Sequence, residues 1–205
     1  MKHSNWLENK NSEGHNLSIS VKTRIGMYEP DEFENILEVY NRYPISQLIV
    51  HPRTREQLYK GTPNIEAFKY ALENSKNPVC YNGDINTVEN YHRIIDKIND
   101  DSKMKIGSIM IGRGLIGNPN LVNEIKGGKK LTKKMLEAYH DRLYNDFEKI
   151  MKADKHLLFK MKEMWTYMSL NFDDSHKCAK LIRKAQNLYK YNLAVYEIFE
   201  KYELK

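Results

Sequence analysis

Up to about residue 128, short apolar runs alternate with amphipathic stretches. Leu17-Ser-Ile-Ser-Val21 reads as a strand, and Phe33, Ile36, Leu37 and Tyr40 recur at helical spacing within residues 31–43. Gln47-Leu-Ile-Val50 is a second apolar run, followed by Thr62 and Pro63, which read as the N-cap and first-turn proline of a helix reaching about Ser75. Pro78-Val-Cys-Tyr81 predicts a third strand, and Asn86 with Glu89 has the spacing of a capping box opening a helix to about Ile98. Ile109, Met110 and Ile111 predict a fourth, fully buried strand over residues 108–111, with Asn118-Pro119 starting another short helix.

Short buried strands alternating with amphipathic helices predict parallel βα units. In such folds the chemistry gathers at the C-terminal ends of the strands. Polar clusters stand at four consecutive strand ends: Lys22/Arg24, His51/Arg53, Asn82/Asp84 and Gly112/Arg113. From Leu131 the pattern becomes wholly helical. Met135, Leu136, Tyr139, Leu143 and Phe147 share one face; Leu157, Leu158, Met161, Met164, Trp165 and Met168 share another. Asp173 or Asp174 caps a helix through Cys178, Leu181, Ile182 and Leu188, and a last helix holds Val195, Ile198 and Phe199. This predicts an all-α helical bundle joined through Lys126-Gly-Gly-Lys-Lys130. The expected divisions are an irregular lead-in over 1–16, an α/β part over 17–128 and a helical part over 129–205.

Charge sharpens that division. The net charge of +6 lies in residues 129–205, with 17 Lys and Arg against 11 Asp and Glu; residues 1–128 carry 16 of each sign. A neutral front and a basic back suggest a compact domain joined to a module that meets a polyanion, although lysine-rich helical faces are also simply well solvated. The chain holds no run apolar enough to span a membrane and nothing resembling a signal peptide, so a cytoplasmic location is expected. Cys80 and Cys178 lack metal-ligand spacing and are expected as free thiols. No Ser-His-Asp or Cys-His arrangement and no metal cluster stands out.

Gly112-Arg113-Gly114 follows a strand and opens a helix, which suits an anion, most naturally a phosphate; the same residues would also serve as a plain strand-to-helix turn. Together, Lys22, His51 and Arg113, with backbone from Asn82-Gly83-Asp84 and Gly112, suit an anionic cofactor with a polar ring. A lysine at a strand end stabilises negative charge at the N1/O2 edge of a reduced flavin, and two glycine-containing turns would hold its phosphate.

Four stretches carry a resemblance: Ser20-Val-Lys22-Thr-Arg24-Ile-Gly26, His51-Pro-Arg53-Thr54-Arg55-Glu-Gln-Leu-Tyr59-Lys-Gly61, Asn82-Gly83-Asp84-Ile85 and Gly112-Arg113-Gly114-Leu-Ile-Gly117-Asn-Pro119. In words, order and spacing they resemble the tRNA-dihydrouridine synthases from about residue 17 onward, and Lys162-Glu-Met-Trp165-Thr-Tyr167 is similar to that family's tail. The resemblance implies the last four βα units of an FMN-binding (β/α)8 TIM barrel followed by a helical tRNA-binding domain. It implies reduction of uridine to 5,6-dihydrouridine in tRNA, with NADPH reducing the flavin. It assigns Lys22 and His51 to the flavin ring or ribityl chain, and Asn82, Gly83, Asp84, Gly112 and Arg113 to the phosphate end. Arg53 and Thr54 would lie near the substrate base or its phosphates, and Lys155, Lys160 and Lys162 would meet the tRNA backbone.

The family's proton-donating cysteine stands in an Asn-Gly-Cys-Pro setting on earlier βα units, and no such motif occurs here. No residue of this chain is therefore assigned as catalytic, and both cysteines are expected to pack in the core. Three readings remain: the C-terminal part of a synthase whose N-terminal half is a separate chain or lost; an inactive truncated remnant; or a non-catalytic RNA-binding module using the basic tail. Pairing with a second copy would cover the open sheet edges.

Overall fold

The computed structural model describes residues 18–100 and 105–205. The fold is α/β, with a parallel four-stranded sheet ordered β1-β2-β3-β4: β1 (Ser20–Arg24), β2 (Gln47–His51), β3 (Val79–Asn82) and β4 (Ser108–Met110). The connecting helices are α1 (Glu32–Tyr40), α2 (Ile65–Asn74) and α3 (Val88–Asn99). They are followed by α4 (Arg113–Gly117), α5 (Leu121–Ile125), α6 (Lys133–Ile150), α7 (Asp154–Met168), a 3-10 turn at Ser169–Asn171, α8 (Ser175–Lys184) and α9 (Leu188–Lys201).

The alternation expected from the sequence is present, with shifted boundaries. The lead-in over 1–16 and the expected strand start at Leu17 lie outside the described residues; β1 runs from Ser20 through Lys22 to Arg24, with all five residues paired in register with Gln47–His51. Lys22 and Arg24 are thus strand residues rather than loop residues. The N-cap of α2 is Asn64, whose side chain accepts from Ala67 N at 3.0 Å, instead of Thr62. Ahead of α3, Thr87 Oγ1 accepts from Asn90 N at 3.1 Å, a role the sequence had given to Asn86. β4 is only half-buried, since it is the last strand of the sheet. Asp174 caps α8, accepting from Lys177 N at 3.0 Å.

The chain forms two compact units. The first holds the described residues up to Asp84 together with those of His92–Met110; the second holds Ile85–Tyr91 and Ile111–Lys205. The first unit buries one sheet face against its helices through Leu48, Val50, Val79 and Tyr81, with Phe33, Leu37, Phe68, Ala71, Ile94 and Ile98 opposite. The Phe68 and Tyr81 rings meet edge to face at 4.9 Å. In the second unit, α6–α9 share one apolar cluster around Met161, Trp165, Phe172, Ile198 and Phe199. Helices α4 and α5 belong to this unit. A polar chain threads its core: Trp165 Nε1 donates to Tyr191 Oη at 2.9 Å, and Tyr191 Oη lies 2.7 Å from His140 Nε2. The His140 Nδ1–H donates to Asp141 Oδ1 at 2.9 Å, which leaves Nε2 to accept the tyrosine proton. Among the described residues, no helix is long and apolar enough to cross a membrane, and no group of His, Cys, Asp and Glu would hold a metal.

Candidate functional site

The parallel register sorts the strand residues by face, because side chains alternate along each strand. Val21, Leu48 and Val79 share the helix-packed face with Thr23, Val50, Tyr81 and Ile109. The opposite face carries Lys22, Ile49, Cys80 and Ser108 in one row. One step nearer the strand ends stand Arg24, His51, Asn82 and Met110. Three of the four sequence-predicted clusters are therefore neighbours on one polar face of the first unit. Asn82 Nδ2 donates to Met110 O at 2.8 Å, and Gln47 Nε2 donates to Ser108 Oγ at 3.1 Å.

The face is electropositive. Burial and the Arg24 charge lower the Lys22 pKa. His51 is buried, and its pKa is pushed down to about 4 by burial first, then by Arg24, Lys22 and Arg53, with Asp84 opposing. The imidazole is therefore neutral at pH 7 and acts as a hydrogen-bonding group rather than a cation. Its unfolded counterpart titrates near 6.5, so between pH 6.5 and 4 the unfolded chain binds a proton that the folded chain does not. Stability contributed by neutral His51 is consequently lost as pH falls through that window. His51→Asn is expected to flatten the fall in urea-unfolding free energy between pH 7 and pH 4.5; an unaltered slope would contradict this. A residual slope of the same sign remains from buried His140, whose pKa burial also lowers.

The loop after β2 is folded around two arginines. Arg24 Nη1 donates to Thr54 O at 2.6 Å and Leu58 O at 3.0 Å, and its guanidinium lies 5.7 Å from the Tyr59 ring centroid. The Tyr59 ring lies 6.3 Å from that of His51 and is 59% exposed. Tyr59 is a neighbour of this face that residue type alone does not mark; its signal in the sequence is its place in the His51–Gly61 motif, six residues past the buried Arg53.

Arg53 and Thr54 are held within the loop after β2. Both were expected near the substrate, yet Arg53 is 1% exposed and Thr54 is fully buried. The Arg53 guanidinium makes a two-bonded pair with Asp84, at 2.9 and 2.5 Å. Thr54 N donates to Gln57 Oε1 at 2.9 Å, and its carbonyl takes the Arg24 bond. Both residues thus help to build the loop.

Cys80 lies in the Lys22 row, but burial raises its pKa against the Ser108 hydrogen bond and the Lys22 charge. Cys178 is fully buried, its pKa raised to about 11 by burial. Both sulfurs are thus thiols at neutral pH, and both are buried.

Gly112 and Arg113 belong to the second unit, at the start of α4. A side chain at Gly112 would meet no atom within 4 Å, whereas one at Gly114 would strike Ile85 O. Gly114 is thus required by packing, and Gly112 leaves open backbone. Among the tail lysines, Lys155 is exposed, with Nζ 5.9 Å from the Phe159 ring centroid. Lys160 pairs with Glu163 at 3.0 Å. Lys162 Nζ donates to Arg183 O at 3.0 Å and Ala185 O at 2.5 Å, and so closes the C-terminal end of α8.

The chain matches the dihydrouridine synthase family over residues 10–197. It belongs to that family. The match begins before the residue-17 start suggested by the motifs, so part of the expected lead-in shares the family pattern. The chain is similar to tRNA-dihydrouridine synthase B of Shewanella oneidensis, 31% identical over 156 residues, covering 68% of this chain and 46% of that protein. It is also similar to a probable tRNA-dihydrouridine synthase of Rickettsia bellii, 29% identical over 142 residues, covering 66% of this chain and 41% of the relative. With the tRNA-dihydrouridine(16) synthase of Vibrio parahaemolyticus it shares 28% identity over 173 residues, covering 82% of this chain and 51% of the relative. The chain spans about half the length of these curated relatives.

Proposed function

We propose that this chain supplies the flavin-facing and tRNA-facing residues of a tRNA-dihydrouridine synthase, which reduces uridine to 5,6-dihydrouridine in tRNA with NADPH as reductant. The observation that carries this reading is the shared polar face, where the Lys22 row adjoins the neutral His51 and Asn82 at the strand ends. A cation beside uncharged hydrogen-bonding groups fits the polar edge of an isoalloxazine ring, and the open backbone at Gly112 fits close approach of an anion. FMN, when bound, would supply hydride transfer to the uracil ring. Lys22 would hold a positive charge at the N1/O2 edge, and His51 would hydrogen-bond the ring or ribityl chain. Asn82, Gly83 and Asp84 would hold the phosphate end.

On this reading the sheet and its helices are the last four units of a (β/α)8 barrel, and the family's proton-donating cysteine comes from a polypeptide segment other than these 205 residues. The basic residues 129–205 would meet the tRNA backbone, with Lys155 and Lys160 as contacts. That charge also supports a second reading, RNA binding without catalysis, and a cytoplasmic setting suits both.

Lys22→Met tests the assignment. It keeps the stem and removes the charge, so FMN affinity of the full chain should fall about 10- to 100-fold, the usual range for a lost charged hydrogen bond. Flavin fluorescence quenching reads the change, and an unchanged dissociation constant would remove Lys22 from the site.

A further inference from the structure

The Arg53–Asp84 pair does more than fill space. All five guanidinium donors have partners: Nε to Lys60 O at 3.2 Å, Nη1 to Asp84 Oδ1 at 2.9 Å and toward His51 Nε2 at 3.4 Å, and Nη2 to Gly61 O at 2.6 Å and Asp84 Oδ2 at 2.5 Å. Apart from His51 at the end of β2, these partners lie on two different loops, the one after β2 and the turn after β3. Asp84 has φ +28°, a left-handed conformation that a non-glycine residue keeps only when its surroundings hold it. Gly61, which receives Nη2, has φ +67°. The preceding Gly83 is packed closely enough that a Cβ there would sit 2.9 Å from the Tyr81 hydroxyl.

We propose that Arg53 is a positioning residue: it clamps the Asn82-Gly83-Asp84 turn in its left-handed form and fixes it to the β2 loop, so that the turn is preformed for the phosphate of the flavin. This rests on the flavin reading above, but the clamp itself is a property of the chain alone. Arginine is needed because only its planar fork engages both carboxylate oxygens while donating to two carbonyls. Lysine has three donors on one atom and would keep the charge without the fork. The neutral state of His51 belongs to the same arrangement, since it leaves a ring nitrogen able to accept from Nη1.

The experiment compares wild type, Arg53→Lys and Asp84→Asn as full chains, in two measurements. The first is affinity for FMN and for riboflavin, which has the same ring without the phosphate. The clamp predicts that Arg53→Lys weakens FMN about tenfold or more while riboflavin changes less than about twofold. The second is amide hydrogen exchange, which should accelerate at Gly83, Asp84 and Ile85 but stay unchanged at Cys80 and Tyr81. Asp84→Asn, which preserves shape, should move both readouts the same way by less, and it stands in if Arg53→Lys does not fold. Equal loss of FMN and riboflavin, or unchanged exchange at the turn, would overturn the proposal. If wild type binds neither flavin, the flavin reading fails, and the exchange measurement alone decides the clamp.

Discussion

Replacing Trp165 by alanine is expected to destabilise the helical unit by about 3–5 kcal/mol, the usual cost of truncating a buried aromatic side chain. Trp165 is 1% exposed and lies within 6.1 Å, centroid to centroid, of Phe172, Phe199 and His140. Truncation opens a cavity between α7 and α9 and removes the indole N–H from Tyr191 Oη. Tyr191 is fully buried, so its hydroxyl would keep only the His140 bond. A loss of this size is a large part of the stability of an ordinary domain. Urea unfolding followed by far-ultraviolet circular dichroism reads it. Trp165→Phe, which keeps a ring and loses the N–H, should cost much less. A loss below about 1 kcal/mol for the alanine variant would contradict the packing described here.

The second large effect is expected at Gly114. A Cβ built there lies 2.2 Å from Ile85 O and 3.1 Å from Asn86 Cα. Both are backbone atoms, so no side-chain rotation relieves the overlap, and α4 would have to shift. α4 packs against α7, and the shift would propagate into the helical core. Gly114→Ala is expected to cost about 1–3 kcal/mol or more, as overpacked sites do. Gly112→Ala, two residues earlier, meets nothing within 4 Å and should leave the melting temperature almost unchanged. Thermal unfolding of the two variants side by side checks the contrast. Equal effects would mean that the two glycines are not divided between packing and open backbone.

Much of this was legible in the sequence because it is local. The alternation of apolar runs with amphipathic stretches reported the parallel βα order, and the end of the Gln47–Val50 run put His51 at a strand end. Boundaries set by pairing were less legible: Lys22 and Arg24 lie inside β1 because five register pairs extend it. The fates of charged side chains were least legible. Arg53 is buried by a carboxylate 31 residues away, and Lys162 is drawn to carbonyls 21 and 23 residues away. Residue type and local spacing contain neither fact, so both side chains read as exposed contacts to a ligand. The same holds for α4 and α5, which follow the last strand in sequence yet pack in the helical unit.

The measurement that tests the central claim most directly is a titration of the purified 205-residue chain with FMN, followed by flavin fluorescence and absorbance. The account predicts saturable binding that riboflavin reproduces only weakly and that Lys22→Met weakens. A folded chain whose addition leaves flavin fluorescence and absorbance unchanged would contradict the flavin assignment, and RNA binding by residues 129–205 would become the function to test.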